Sequence, residues 1–206
     1  MATVTNGYVT LAELKAHIQS NGGTFSSDDD DNLSIAINAA SRWIDGLLGT
    51  SFYARTETRY YTPDYGDLLY IDDLLTVTTL KSDDNWDGTY ETTWTTDDYI
   101  LEPRNAAGGS EPGPYRQIRI NVNGDYMFPT GVQDGVEIAG TWGYATTAPA
   151  AVMQAAMLIA HRLWKRKDAI FGVAGSAALG VVTVQAKVTS DADIMMLLKS
   201  VDRRGW

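Results

Sequence analysis

The chain has 206 residues, of which 44% are hydrophobic and 20% are charged, a composition typical of a folded globular protein rather than a disordered one. Its formal net charge of −10 argues against tight binding to DNA, which requires a basic surface. The absence of cysteine excludes disulfides, thiolate nucleophiles, zinc–cysteine sites and iron–sulfur clusters.

No signal peptide or membrane span is visible in the sequence. Residues 1–5 contain neither the basic region nor the apolar region of a secretory signal. The most apolar stretch, residues 148–160, is too short to cross a bilayer and is followed by basic residues. We therefore predict a soluble protein that is made in the cytoplasm and has no membrane partner.

Two helices are predicted before residue 50. The first covers about residues 11–20, because Thr10 and Glu13 have the spacing of a capping box and glycines follow at 22 and 23. The second begins after the acidic run 28–31, whose carboxylates suit the positive end of a helix dipole, and ends at Gly49. Its apolar residues recur at helical spacing: Leu33, Ile37, Ala40, Ile44, Leu47 and Leu48.

Strand patterns fill the middle of the chain. Alternating or β-branched runs occur at 56–62, 68–71, 74–81, 90–95, 99–101, 117–122 and 135–142. Clusters of Gly, Asn, Asp and Pro separate these runs, as turns require. Residues 55–142 are therefore predicted to form a small antiparallel sheet inserted between helices.

Helical patterns return at the end of the chain. A third helix is predicted from Pro149, placed at its first position, and it is apolar on most sides. Residues 171–189 are rich in Gly, Ala and Val, and a last helix is predicted at about 191–201. We therefore predict an α+β fold, mainly a bundle of about four helices with an inserted small antiparallel sheet, over 1–206 as one domain.

The sequence contains no pattern that selects a catalytic site. His17 and His161 lack metal-ligand spacing, and no nucleophile elbow or phosphate-binding loop is present. We predict that the chain is not an enzyme and has no catalytic residues, no cofactor and no metal.

One motif resembles the first half of a calcium loop. Residues 83–88 match its opening, but the twelfth position is Trp94, where a bidentate glutamate is needed. Asn and Asp before glycine are also what a β-turn favours, so a hairpin turn is predicted here.

The order of elements resembles a known family. The relevant segments are 8–15, 39–45 followed by Phe52 and Tyr53, 98–101, 149–152, 162–166, 171–175 and 197–199. In this order they resemble the head-to-tail connector (adaptor, or head-completion) proteins of tailed bacteriophages.

That resemblance implies a structural protein of the virion neck, at the head–tail interface. It implies a homo-oligomeric ring of roughly twelve copies, docked beneath the portal protein. The ring would extend the channel through which double-stranded DNA passes without sequence-specific binding, and would offer a platform to the next connector or tail protein. The net negative charge suits a surface past which DNA slides.

The resemblance also assigns contacts to residues 171–206, predicted as an extended loop, a last helix and a docking tail. The portal-docking candidates are Lys199, Arg203, Arg204 and Trp206, which include residue types common at interface hot spots. The apolar residues of the loop are inter-subunit candidates, because a neighbouring subunit would cover them: Phe171, Val173, Leu179, Val181, Val182 and Val184.

Two alternatives remain. One is a tail-completion protein of the same virion neck. The other is a carbohydrate-binding or hydrolytic β-rich module with helical flanks, for which Trp86, Trp94 and Trp142 are the aromatic residues available in the strand region.

Overall fold

A computed structural model of the chain describes residues 2–106, 113–166, 173–176, 180–183 and 191–201. The chain divides into two compact units. The helical unit consists of Met1–Gly49 and Ala148–Trp206, and the sheet unit consists of Thr50–Thr147. The described residues form four α-helices and an antiparallel sheet of six strands, so the predicted α+β class is confirmed.

The first helix, α1, spans Leu11–Ser20. Its capping box is present as predicted: the Glu13 amide donates to Thr10 Oγ1 at 3.2 Å, and the Thr10 amide donates to the Glu13 carboxylate at 2.7 Å. These two bonds satisfy amides that a helix start leaves without partners. Leu14 and Ile18 are the buried apolar residues of this helix.

The second helix, α2, spans Asp30–Leu48 and follows a short 3₁₀ turn at Ser27–Asp29. It ends at Gly49, whose φ of +61° is the left-handed conformation that glycine adopts at low cost. The predicted apolar stripe is buried at Leu33, Ile37, Ala40, Ile44 and Leu48, whereas Leu47 is half-buried.

The third helix, α3, spans Ala150–Lys165, and Pro149 is its N-cap rather than its first helical residue as predicted. The fourth, α4, spans Ala192–Lys199, and the Asp191 carboxylate caps it by accepting from the Asp193 and Ile194 amides. Helix α3 contacts α1, α2 and α4. The arrangement of the four helices as a bundle remains a prediction.

The six-stranded sheet is larger than predicted. Its strands are β1 Arg55–Tyr61, β2 Leu68–Ser82, β3 Thr92–Trp94, β4 Tyr99–Glu102, β5 Tyr115–Ile120 and β6 Val136–Trp142. Their order is β1-β6-β2-β5-β4, and β3 pairs with the end of β2.

The prediction also differs from the structure in β2. Two short strands were predicted, separated by Asp72 and Asp73, but these residues lie inside one strand of 15 residues. The Asp72 carboxylate accepts a hydrogen bond from Arg59 at 2.8 Å, and the Asp73 carboxylate accepts one from Arg116 at 2.7 Å. Pairing with Arg59 of β1 and with Arg116 of the neighbouring strand β5 lets both carboxylates occupy strand positions that propensity disfavours.

Aromatic residues organise the core of the sheet unit. Trp142 is fully buried, and its indole N–H donates to the Glu57 carbonyl on the neighbouring strand at 2.9 Å. Trp94 stacks on Phe128 with ring centroids 4.8 Å apart, and its N–H donates to Ser82 Oγ at 3.0 Å. Both of these indoles therefore have a partner for their polar atom.

A final antiparallel pair follows α3: β7 spans Val173–Ser176 and β8 spans Gly180–Thr183. Of the inter-subunit candidates, Val173, Val181 and Val182 lie on these strands. Phe171, Leu179 and Val184 lie outside the described residues. Among the helices that the structure describes, none is both long and apolar enough to span a bilayer.

Candidate assembly surfaces

One tryptophan of the sheet unit is unusually exposed. Trp86 lies in the loop 83–91 between β2 and β3, and 73% of its surface is accessible. By contrast, Trp94 and Trp142 are buried in the core. Other large side chains that are exposed in this unit are Tyr60, Tyr65, Tyr70, Val122, Tyr126 and Met127.

Asp83 holds the loop 83–91 in one conformation. Its side chain is buried, and one carboxylate oxygen accepts from the Trp86 amide at 2.7 Å and from the Asp87 amide at 3.3 Å. The other oxygen accepts from the Gly88 amide at 2.9 Å. The loop joins two antiparallel strands, so the predicted hairpin turn is present.

The backbone of this loop carries strain at the exposed tryptophan. Trp86 has a φ of +68°, a conformation that is rare for a bulky side chain, and Gly88 has a φ of +84°. Such strain persists only where surrounding interactions enforce it. The three hydrogen bonds that backbone amides donate to the Asp83 carboxylate supply that restraint.

Three carboxylates of the loop 83–91 lie close together. Oxygens of Asp83, Asp87 and Glu91 lie within 4.8 Å of one another. Hydrogen bonds from Thr89 lower the pKa of Asp87, which keeps it ionised. In the described part of the chain, no lysine or arginine forms an ion pair with these three groups.

The resemblance to a calcium loop ends at the positions that matter for binding. Both oxygens of Asp83 already accept backbone hydrogen bonds, and Trp94 at the twelfth position lies in the core. The arrangement is that of a carboxylate-capped turn, and the predicted absence of a metal remains a prediction.

The negative charge of the chain is concentrated in the sheet unit. Residues 50–147 contain sixteen acidic and six basic residues, a net charge of −10, and the helical unit carries ten of each. Four of the six basic residues pair with carboxylates of the same unit: Arg59, Lys81, Arg116 and Arg119. The surface of this unit is therefore strongly acidic.

The basic residues of the helical unit lie mostly in its C-terminal half. Residues 148–206 contain eight basic and four acidic residues. Lys165 and Arg166 are exposed at the end of α3, and neither forms an ion pair within the described ranges. Arg162, one turn earlier, is paired with Asp191.

The portal-docking candidates are described only in part. Lys199 is exposed in the last turn of α4, next to Met196, which is 65% exposed. Arg203, Arg204 and Trp206 lie outside the described residues.

Sequence reasoning missed how the first residues attach to α2. Asn38 donates to the Thr3 carbonyl at 2.8 Å and accepts from the Thr5 amide at 2.9 Å. Buried Ser41 accepts from the Tyr8 amide at 3.1 Å. The available signal was two polar residues next to an apolar helix stripe, where side chains can bind an adjacent extended backbone.

Solved structures show the same fold. A chain from the neck of an empty gene transfer agent (GTA) particle, computed with C6 symmetry, is 21% identical, with a TM-score of 0.60 over 97% of this chain and 92% of that one. A chain from the neck of the native GTA particle, computed with C12 symmetry, is 21% identical, with a TM-score of 0.56 over 97% of this chain and 91% of that one.

A third chain, from the virion of the native GTA particle, is 22% identical, with a TM-score of 0.59 over 97% of this chain and 92% of that one. No family model and no curated protein matches the sequence. At these identities the likeness establishes a shared fold along nearly the whole chain.

Proposed function

We propose that this chain is a non-enzymatic structural protein of the neck of a phage-like particle. In this proposal it is a ring-forming adaptor that docks beneath the portal, extends the DNA channel and joins the capsid to the tail. The observation that carries the proposal is the fold shared over 97% of the chain with chains from GTA necks. The C12 symmetry of one of those necks supports a ring of twelve.

The charge of the sheet unit supports a place beside passing DNA. A net charge of −10 on residues 50–147 disfavours adsorption of the phosphate backbone. The proposed ring therefore lets DNA pass without sequence-specific binding.

The C-terminal region supplies the proposed contacts. Residues 171–206 follow the core of the domain 1–206 and its β-rich insertion 55–142. Lys199 is exposed, as a docking residue must be, and we propose that it contacts the portal together with Arg203, Arg204 and Trp206. Within the ring, the apolar residues of 171–184 are proposed to lie against the neighbouring subunit.

Two other functions compete with the adaptor. A tail-completion protein would occupy the same neck but would bind the tail rather than the portal. A carbohydrate-binding module would use three tryptophans of the strand region to stack on sugar rings. Of these, Trp94 and Trp142 are buried, and Trp86 is exposed. A binding platform of several exposed indoles is therefore absent among these three residues.

Mixing the purified chain with the portal of the same particle tests the proposal. Native mass spectrometry and negative-stain electron microscopy should show a ring of this chain capping one end of the portal. A chain shortened to residues 1–201 and carrying Lys199→Ala keeps α4 and its C-cap, and should lose that binding while keeping its thermal unfolding midpoint. Binding to purified tails but not to portal would instead identify a tail-completion protein, and binding to neither would overturn the proposal.

A further inference from the structure

The loop 83–91 combines two features of a recognition element. Asp83 fixes its backbone, so the loop presents Trp86 at little further entropic cost. The indole is 73% exposed although it is the kind of side chain that dominates interface energetics. A rigid, strained and exposed tryptophan therefore indicates a docking point.

The chemistry around Trp86 selects a cationic partner surface. An indole face attracts ammonium and guanidinium groups, most strongly once water is displaced. The neighbouring carboxylates of Asp84, Asp87 and Glu91 add ionic attraction, and none of them has a cationic partner in the described part of the chain. The occupant must then supply lysine or arginine.

The chain itself carries such a surface at another place. Lys165 and Arg166 are exposed at the end of α3 and, among the described residues, have no carboxylate partner. The Lys165 ammonium lies 4.9 Å from the centroid of the Trp164 ring, so this helix end already forms one cation–π contact. A guanidinium can stack on an indole and bind a carboxylate at the same time.

We propose that the loop 83–91 of one copy docks on the end of α3 of the next copy. Trp86 packs against the Arg166 guanidinium, and the carboxylates of Asp84 and Asp87 face Lys165. This inference rests on the proposed ring. The contact joins two different surfaces of the same chain, which is the head-to-tail type of contact from which rings are built.

Cross-linking tests this contact directly, because the chain contains no cysteine. A tagged Trp86→Cys variant is mixed with an untagged Arg166→Cys variant and treated with a short bis-maleimide. The matched control replaces Trp86→Cys by Tyr70→Cys, since Tyr70 is an aromatic of the same unit that is 58% exposed. We expect the Trp86→Cys mixture to form heterodimers at least about fivefold faster, as local concentration in a specific contact requires.

A charge swap tests the same contact without cysteines. Asp84→Lys/Asp87→Lys and Lys165→Glu/Arg166→Glu should each lower the yield of rings on purified portal by about tenfold or more. Combining all four substitutions in one chain should restore the rings. Normal assembly of either double variant, or no recovery of rings in the combined variant, would overturn the contact.

The two proposals fail in different ways. If rings form on portal while Trp86→Cys cross-links no faster than Tyr70→Cys, the docking contact is wrong and the adaptor function stands. If cross-linking is selective but no ring forms on portal, the contact stands and the adaptor function is wrong.

Discussion

The imidazole rings of His17 and His161 meet edge to face, with their centroids 5.2 Å apart, and join α1 to α3. Burial lowers the pKa of His161, and repulsion from His17 and from Lys165 lowers it further. The ring of Trp164 lies 6.2 Å from His161, and Asn21 Nδ2 lies 3.4 Å from His17 Nε2. Neutral His161 is therefore the form that the folded helical unit favours.

The first prediction concerns mild acid. Because the folded pKa of His161 is depressed, the unfolded chain binds its proton more readily, so stability is full above about pH 6.5 and falls as the pH drops below it. Thermal unfolding at pH 7.5 and pH 5.5 should show a lower midpoint in acid and a smaller difference for His161→Gln. In an NMR titration, His17→Gln should raise the pKa of His161, and an unchanged value would contradict this account.

The second prediction concerns two glycines in different environments. A Cβ at Gly140 in β6 would lie 2.3 Å from the Thr76 carbonyl oxygen and 3.1 Å from Leu74 Cδ1. Backbone cannot yield cheaply, so Gly140→Ala should lower the free energy of unfolding by about 1–3 kcal/mol. Urea denaturation of the purified chain measures the change.

Gly46 in α2 is the matched control. A Cβ there meets no atom within 4 Å, so Gly46→Ala should stabilise the helix by about 0.5–1 kcal/mol. Equal urea midpoints for the two alanine variants would show that the close approach at Gly140 is wrong.

The third prediction concerns alkaline pH. Burial raises the pKa of Tyr61 from 10.0 to about 12. The Tyr61 hydroxyl donates a hydrogen bond to the Asp72 carboxylate at 3.1 Å. The raised value means that the unfolded chain ionises first, so stability from this group is full below about pH 10 and is lost as the pH rises through about 12.

Tyr61→Phe should reduce that alkaline loss, because the ring still packs near Trp142 without an ionisable hydroxyl. Chemical denaturation between pH 9 and pH 12 gives the comparison with the unsubstituted chain. In an absorbance titration, the variant should show one tyrosine fewer that ionises at high pH. Identical dependence of stability on alkaline pH in the two chains would count against a buried, protonated Tyr61.

Local chemistry made much of the helical unit predictable. The spacing of Thr10 and Glu13 determines a helix start through two short-range hydrogen bonds, and Gly49 supplies the left-handed residue that ends α2. Apolar periodicity predicted which face of α2 is buried. Each of these signals acts within a few residues, so the sequence alone contains it.

Long-range pairing made the sheet and its surface harder to predict. Asp72 and Asp73 indicate a turn until Arg59 of β1 and Arg116 of β5 are known to bind them. The burial of Trp94 and Trp142 depends on strand register, which composition does not specify. The exposure of Trp86 depends on the loop conformation that Asp83 holds. The calcium-like motif could be assigned to a turn from its local residues. The exposure of the indole in that turn was not predicted.

The fourth prediction concerns the carboxylate that fixes the loop 83–91. Asp83→Ala removes the acceptor of three backbone N–H groups, from Trp86, Asp87 and Gly88. The Asp87 amide keeps Asn85 Oδ1 as an acceptor, but the Trp86 and Gly88 amides lose theirs. That loss costs about 1–3 kcal/mol, and the strained φ of Trp86 loses its restraint. Thermal unfolding should show a lower midpoint, and limited proteolysis should show new cleavage within the loop.

Two variants separate this effect from a simple loss of charge. Asp64→Ala removes an exposed carboxylate of the same unit and should leave the midpoint and the proteolysis pattern unchanged. Asp83→Asn keeps one acceptor oxygen, so its midpoint should fall between those of the unsubstituted chain and Asp83→Ala. If Asp83→Ala matched Asp64→Ala in both assays, Asp83 would not hold the loop, and the rigid presentation of Trp86 would lose its cause.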